Sequence, residues 1–363
     1  RPAEGSRRPQ PPPRMRGTAV CLAGLLRGLP DVGPSIQAHV VKALDAELFV
    51  SGPAAGIGDW ASALGAFPTL QQVRLERENV TEVLQNAPGG VAGWRAAASI
   101  PGNWLGCLEG EPSDMHRNGS GLCQMYSQKQ CLDMVVDREL KRGQFFHHVV
   151  YTRADMRWLG EHPPLSLLPS GESDFWVVDG EDNGGLNDRH WVLPRWLAAE
   201  LLTSWDRLLD GSLAAHFLPQ RLPGLSTEAY WSYWLHLKGS TRLVRRIPGL
   251  AFVPCANPHG RKHIDMTARS WDESGRLDRV NVRCQPGGPK YRHEYRHARQ
   301  VAECKGARPW SLGLLWECWC AGKEGTGALQ YTEYRLCVHA KYAAAGFQGR
   351  LAFEDVEAVA GQG

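Results

Sequence analysis

Arg153, Asp155 and Asp188 are side chains of the types that handle a charged, activated substrate. The first two stand in the segment FFHHVVYTRADMRW, residues 145–158. Its near-continuous run of Phe145, Phe146, Val149, Val150 and Tyr151 predicts a central strand covered on both faces. Thr152, Arg153 and Asp155 then fall where that strand should end, and in open α/β sheets ligands bind beyond the carboxyl ends of strands. A carboxylate there can hold a divalent cation, and a guanidinium can grip a diphosphate. Asp188 lies in GGLNDRHW, residues 184–191, which has the composition of a ligand cradle. Glycines such as Gly185 allow close backbone approach, while Asn187, Asp188 and Arg189 supply acceptor, base and cation. The other reading of this loop is a turn in which Asn and Asp bond to their own backbone. Asp179, Glu181, Asn183 and Gly184 imitate the start of a calcium-binding EF-hand, but the twelfth position is His190 instead of a bidentate Glu, which excludes that site.

These residues need a frame to hold them. Residues 18–23 read as a first strand, followed by a glycine-flanked turn that carries Arg27. Ser35 is placed to cap a helix with Ile36, Val40 and Leu44 on one face, and residues 46–50 read as the next strand. Strand, glycine loop, helix and strand in that order open a nucleotide-binding α/β domain, although the loop is not GxGxxG. Arg27 at a strand's carboxyl end can reach a phosphate or nucleobase, or else simply cap the loop at the surface. Further on, the pattern predicts a strand over residues 72–75, a loop insertion over the Gly-, Pro- and Asn-rich residues 87–120, and a helix over 121–142 ended by Gly143. A strand over 175–178, helices over 196–209 and 227–238, and a strand over 243–246 complete the domain. Residues 1–17 read as a Pro- and Arg-rich disordered segment or linker, 18–257 as the main domain, and 258–363 as an irregular C-terminal elaboration. The elaboration contains a basic segment and a β-hairpin pairing residues 314–320 with 329–338.

Composition narrows the function classes. The 363 residues are 43% hydrophobic and 22% charged, as for a soluble globular protein with a sizeable core. A net charge of +3 is too small to imply a nucleic-acid or membrane-surface role. No apolar run reaches the ~18 residues that a spanning helix needs. Ten cysteines without a CxxC pair argue against a zinc ribbon or a thioredoxin-type site and are compatible with disulfides. Two sequons, at Asn79 and Asn118, fit a lumenal or secreted protein, giving the secretory pathway or Golgi lumen as the expected compartment.

VCLAGLLRG at the start, Gln128-Lys-Gln-Cys131 in the helix before the central strand, VVYTRAD, GGLNDRHWV and then Thr227-Glu228 heading a helix form an ordered series. In order and spacing it resembles glycosyltransferase-like proteins over residues 18–255. The resemblance implies an α/β, GT-A-like (Rossmann-like) fold with a mostly parallel central sheet flanked by helices. It implies a glycosyltransferase moving a hexosyl or pentosyl group from a nucleotide-sugar donor to a hydroxyl of a glycan, protein or lipid. Such folds usually hold Mn²⁺ or Mg²⁺ through a DxD motif at a central strand's end. Here Arg153 takes the first Asp position, leaving Asp155 as the metal candidate, or leaving Arg153 itself to neutralise the diphosphate. In this scheme Asp188 is the base for the acceptor hydroxyl. Arg27, Arg153, Asp155, Gly185 and Asn187 face the donor, while Arg189 and Glu228 face donor or acceptor. An acid in a helix's first turn, as Glu228 is, is also explained by the helix dipole.

Two further signals compete. His293, Glu294 and His297 spell HExxH, the zinc-protease helix, with Glu317 downstream as a possible third ligand. Arg292, Arg296 and Arg299 surround the motif with positive charge, which favours a solvated basic helix. A non-catalytic carbohydrate-binding protein would use the tryptophans near the loop, Trp158, Trp176, Trp191, Trp231 and Trp234, as sugar platforms. Large aromatics more often pack in the core, and only catalysis needs Arg153, Asp155 and Asp188 to converge.

Overall fold

In the computed structural model the described residues are 15–24, 26, 29–52, 64–65, 67–75, 80–100, 121–168, 174–178, 182, 185–211, 213, 216, 226–247, 250–254 and 292–324. The fold is α/β, with seven strands in one mostly parallel sheet. In chain order the strands are β1 (Thr18–Ala23), β2 (Glu47–Gly52), β3 (Leu70–Leu75), β4 (His148–Arg153), β5 (Met156–Trp158), β6 (Phe175–Val178), β7 (His190–Pro194), β8 (Val244–Ile247) and β9 (Phe252–Pro254). The sheet runs β3-β2-β1-β4-β7-β6-β8, and β5 pairs with β9 in a small separate ladder. All pairings in the large sheet are parallel except those of β7 with β4 and β6.

The helices are α1 (Leu29–Ile36), α2 (Val80–Asn86), α3 (Gly90–Ala98), α4 (Gly121–Arg142), α5 (Arg195–Leu201), α6 (Ser204–Leu209), α7 (Thr227–Leu237), α8 (Arg292–Lys305) and α9 (Leu312–Glu324). Alternation along each strand sends its side chains to two cores. Cys21, Phe49, Val149, Tyr151, Phe175, Val177 and Trp191 meet Trp94 of α3, Met125 and Val135 of α4, Leu197 of α5, Trp205 of α6 and Tyr230 of α7. Val20, Leu22, Val50, Val150, Trp176 and Val192 point the other way, towards α1 and the β5–β9 ladder through Leu29, Val32, Trp158 and Phe252. Helix α4 forms where expected, because Leu122, Met125, Cys131, Leu132, Met134, Val135 and Glu139 share a buried stripe. Gly143, at φ +65°, ends it in the left-handed conformation. A disulfide from Cys21 of β1 to Cys131 of α4 ties the sheet to this helix.

Several expectations are corrected. Residues 87–100 are not loop: α3 forms there and buries Trp94, Ala97 and Ala98 against the core, because tight glycine packing replaces larger side chains. Residues 101–120 lie outside the described set, as do Asn79 and Asn118. The proposed first hairpin strand, 314–320, is helical, since Leu314, Leu315, Cys318 and Trp319 make a one-sided stripe at helical spacing. Its proposed partner, 329–338, is outside the described residues. Helices α8 and α9 are joined by a Cys304–Cys318 disulfide and form a small separate apolar cluster of Val301, Leu314 and Cys318 with Ala251, next to β9. Ser35 is no N-cap. It lies in the last turn of α1, donates to the Val32 carbonyl at 2.7 Å and accepts from the Trp158 amide at 3.0 Å. The expected helix over 196–209 is two helices, α5 and α6. No helix among the described residues is long and apolar enough to cross a membrane.

Candidate active site

Strand β7, one of those that sequence patterning missed, is the one that builds the candidate site. Its five residues are all buried, and it runs against β4 with Thr152 opposite His190. A strand antiparallel to its neighbours begins at the edge where they end. The loop that enters β7 therefore arrives beside the carboxyl end of β4. The ladder extends one step further, with the Arg153 amide donating to the Arg189 carbonyl at 3.0 Å.

At that edge Arg153 joins the two aspartates. Its Nε and Nη2 donate to the two carboxylate oxygens of Asp155 at 3.0 and 2.7 Å, a bidentate pair. Its Nη1 reaches Asp188 Oδ1 at a longer 3.4 Å. Asp188 is buried at 6% exposure, whereas the side chains of Arg153 and Asp155 keep 27% and 30%. Burial alone would lower the Arg153 pKa, but Asp155 and then Asp188 outweigh it and hold the guanidinium further above its usual range. The charge is therefore permanent. Tyr151, two residues back along β4, has its phenol pushed up by burial and then by Asp188, so it stays protonated. Gln124 of α4 donates to the Tyr151 hydroxyl at 2.9 Å and to the Asp188 carbonyl at 3.2 Å, fixing the loop from the first core.

The rest of the loop is held by backbone contacts. Asn187 Oδ1 accepts from the Arg189 amide at 2.9 Å, and its carbonyl accepts from Trp191 Nε1 at 2.6 Å. Asn187 thus forms the local turn that was the alternative to a ligand cradle. Gly185 lies against the start of α7, where an added Cβ would stand 2.0 Å from the Glu228 carbonyl oxygen. The Leu186 amide donates to that same carbonyl at 3.0 Å. Glu228 therefore touches the loop through its backbone, in the first turn of a helix capped by Ser226 Oγ. Arg189 is buried at 8% exposure.

Two residues that no motif singled out complete the support. Arg246 of β8 makes a bidentate pair with Asp182 at 2.8 and 2.9 Å, and Asp182 Oδ1 also accepts from the Asn187 amide at 2.9 Å. Their 64-residue separation left no spacing signal for sequence patterning to find.

The other candidates separate clearly. Arg27, Asp179, Glu181, Asn183 and Gly184 lie outside the described residues. The five tryptophans are not sugar platforms: Trp158, Trp176, Trp191, Trp231 and Trp234 are at most 6% exposed and fill the two cores. HExxH does lie on a helix, α8, with the side chains of His293 and Glu294 outside the described set. The carboxylate of Glu317 faces Arg308 at 3.1 and 3.2 Å, so it is engaged by a cation and not aimed as a third ligand. No cluster of three His, Cys, Asp or Glu suited to a metal occurs among the described residues. Asp155, the expected ligand of Mn²⁺ or Mg²⁺, spends both carboxylate oxygens on Arg153. A Mg²⁺ ion at about 2.1 Å from either oxygen would crowd a permanent cation that already stands 2.7 and 3.0 Å from them, so the arrangement disfavours a divalent ion there.

The mostly parallel seven-stranded sheet with its flanking helices defines the class as α/β, an architecture consistent with a GT-A-like fold. At the level of particular proteins, no family profile and no curated protein sequence matches the chain. Among solved structures, mouse xyloside xylosyltransferase 1 in its apo form is similar over 65% of this chain and 86% of that chain, with 8% identity and a TM-score of 0.38.

Proposed function

We propose that the chain is a glycosyltransferase that binds a nucleotide-sugar donor beyond the end of β4 and passes its sugar to an acceptor hydroxyl. The observation that carries this reading is the convergence of Arg153, Asp155 and Asp188, from two motifs 35 residues apart, on one sheet edge. In the transfer the acceptor O–H bond and the sugar–phosphate C–O bond break and a new C–O bond forms. Asp188 takes the acceptor proton. Arg153, aimed by its bidentate grip on Asp155, balances the charge that builds on the departing diphosphate. Asn187, Gly185 and the Asp182–Arg246 pair hold the loop in position, and Arg189 and Glu228 border it. The acceptor is a glycan, protein or lipid hydroxyl. The disulfides Cys21–Cys131 and Cys304–Cys318 support a secretory or Golgi setting, because such bonds persist in oxidising compartments.

The test begins with a thermal-shift panel of nucleotides and nucleotide sugars, since a ligand that binds only the folded state raises the melting temperature. With a donor in hand, Asp188→Asn should keep donor affinity and lower turnover by about 10² to 10⁴. Asp155→Ala should weaken donor binding by releasing Arg153. An Asp188→Asn protein with unchanged turnover returns this residue to turn structure and removes the base.

A further inference from the structure

The glycosyltransferase reading, on which this inference rests, brings with it an expected divalent metal ion at Asp155, and the geometry disagrees. We propose that Arg153 is itself the resident cation of the site, its guanidinium filling the place between Asp155 and Asp188 that a divalent metal ion would need, so that the native chain binds its donor without one.

The contacts divide the work. Two of the guanidinium nitrogens lock onto Asp155 at 2.7 and 3.0 Å, and the third leans on Asp188 at 3.4 Å. These use three of its five N–H groups, which leaves the others for a phosphate oxygen. The planar fork matches a carboxylate on one side and a phosphate on the other. A metal ion would have to displace it from Asp155, which would cost the bidentate pair and leave the half-buried guanidinium only its longer contact to Asp188 at 3.4 Å. The long contact to Asp188 is the one that can be exchanged when the donor arrives, freeing that carboxylate for the acceptor proton.

Removing the guanidinium should therefore uncover a metal site. Without it, two carboxylates that share one cation lose it, an arrangement that a divalent cation relieves. Mn²⁺ binding is measured by the loss of the free-ion electron paramagnetic resonance signal and by thermal shift, on the full chain and with no nucleotide sugar. The native protein should show no stoichiometric Mn²⁺ uptake and no rise in melting temperature. Arg153→Ala should bind Mn²⁺ more than about tenfold tighter than the native chain and be stabilised by it, as ligand linkage requires. Arg153→Gln, which keeps bulk and hydrogen bonding while removing charge, is the second variant in case Arg153→Ala fails to fold. The gain should vanish when Asp155→Ala is added. Stoichiometric Mn²⁺ uptake by the native chain that is lost in Asp155→Ala overturns the proposal, and so does the absence of any gain in both Arg153 variants. Because this titration uses the metal alone, failure of the nucleotide-sugar panel sinks the functional reading without touching this result.

Discussion

Gly185→Ala tests whether the loop carrying Asp188 is positioned by its contact with α7. The added Cβ would lie 2.0 Å from the Glu228 carbonyl oxygen and 2.3 Å from the Ala229 amide nitrogen. Both are backbone atoms in the first turn of a capped helix, so neither can rotate aside. Reaching an ordinary contact of ~3.4 Å requires a displacement of about 1.4 Å. The loop is the part that gives, and with it goes the hydrogen bond from the Leu186 amide to Glu228, 3.0 Å long. Overpacking of this kind costs about 1–3 kcal/mol, and the lost hydrogen bond adds about 0.5–1.5 kcal/mol. Urea denaturation should accordingly show a loss of roughly 2–4 kcal/mol. Asp188 lies three residues along the same loop, and a misplacement of about 1 Å at a reacting group costs on the order of 10² in rate. Gly313 in α9 is the control: a Cβ there meets nothing within 4 Å, so Gly313→Ala should stabilise by up to about 1 kcal/mol through helix propensity. A Gly185→Ala protein with the native urea midpoint and native donor turnover would refute the argument that this contact sets the loop.

Glu139, buried at 3% exposure, accepts from Arg195 at 2.8 Å twice and from the Phe146 amide at 2.9 Å, so Glu139→Ala should cost about 3–5 kcal/mol in urea unfolding by stranding the guanidinium. Opening the Cys21–Cys131 disulfide, which spans 110 residues, should cost about 5 kcal/mol by chain entropy, measured as the urea midpoint of Cys21→Ala/Cys131→Ala against the native chain. Stability should also fall on acidification. His148 and His162 are lowered to about 4, in both cases chiefly by burial, and His190 is held well below its usual value by burial and then by His162. The unfolded chain takes up protons near pH 6.5 while these folded imidazoles resist, so stability present above that pH is lost as it drops towards 4. Urea midpoints from pH 7 to 4 should show that slope, and His162→Asn should reduce it.

Strand and helix assignments that rest on a long, one-sided apolar pattern were legible in the sequence. Helix α4 and strand β4 formed as patterned, because burial of Met125, Cys131, Met134 and Val135 on one side, and of Val149, Val150 and Tyr151 in the strand, is decided by local periodicity. Phe145 was the exception: at 37% exposure it stays outside the strand, paired only with Met15 in an isolated bridge and overlaid by Arg195 of α5 at 5.9 Å. Strand β7 was hidden because the polar Asn187, Asp188 and Arg189 precede it directly and its five buried residues offer no alternation. Helix α3 was hidden for a different reason. Glycine-rich sequence signals loop, yet Gly93 is needed for close packing, since a Cβ there would lie 1.8 Å from the Leu209 carbonyl oxygen. Within the site, the types of Arg153, Asp155 and Asp188 were legible, while the Asp182–Arg246 pair and the Gln124 contact depend on tertiary neighbours that no spacing encodes.

The reversal of β7 explains why two motifs with no sequence contact act as one unit. A parallel strand in its place would bring its leading loop to the opposite edge of the sheet, away from the end of β4. Running antiparallel, β7 begins where β4 stops. Its pairing of Thr152 with His190 fixes the register, so Arg153 and Asp188 cannot drift apart without breaking the ladder. The register is doubly determined, because a one-residue slip would exchange Trp191 and Leu193 in the first core for His190 and Val192 from the second. The position of the aspartate relative to the guanidinium is therefore set by burial of apolar side chains on both faces of the sheet. Polar contacts at the edge refine that position, and this is why the site's geometry should be most sensitive to backbone packing at Gly185 and least sensitive to changes among its exposed neighbours.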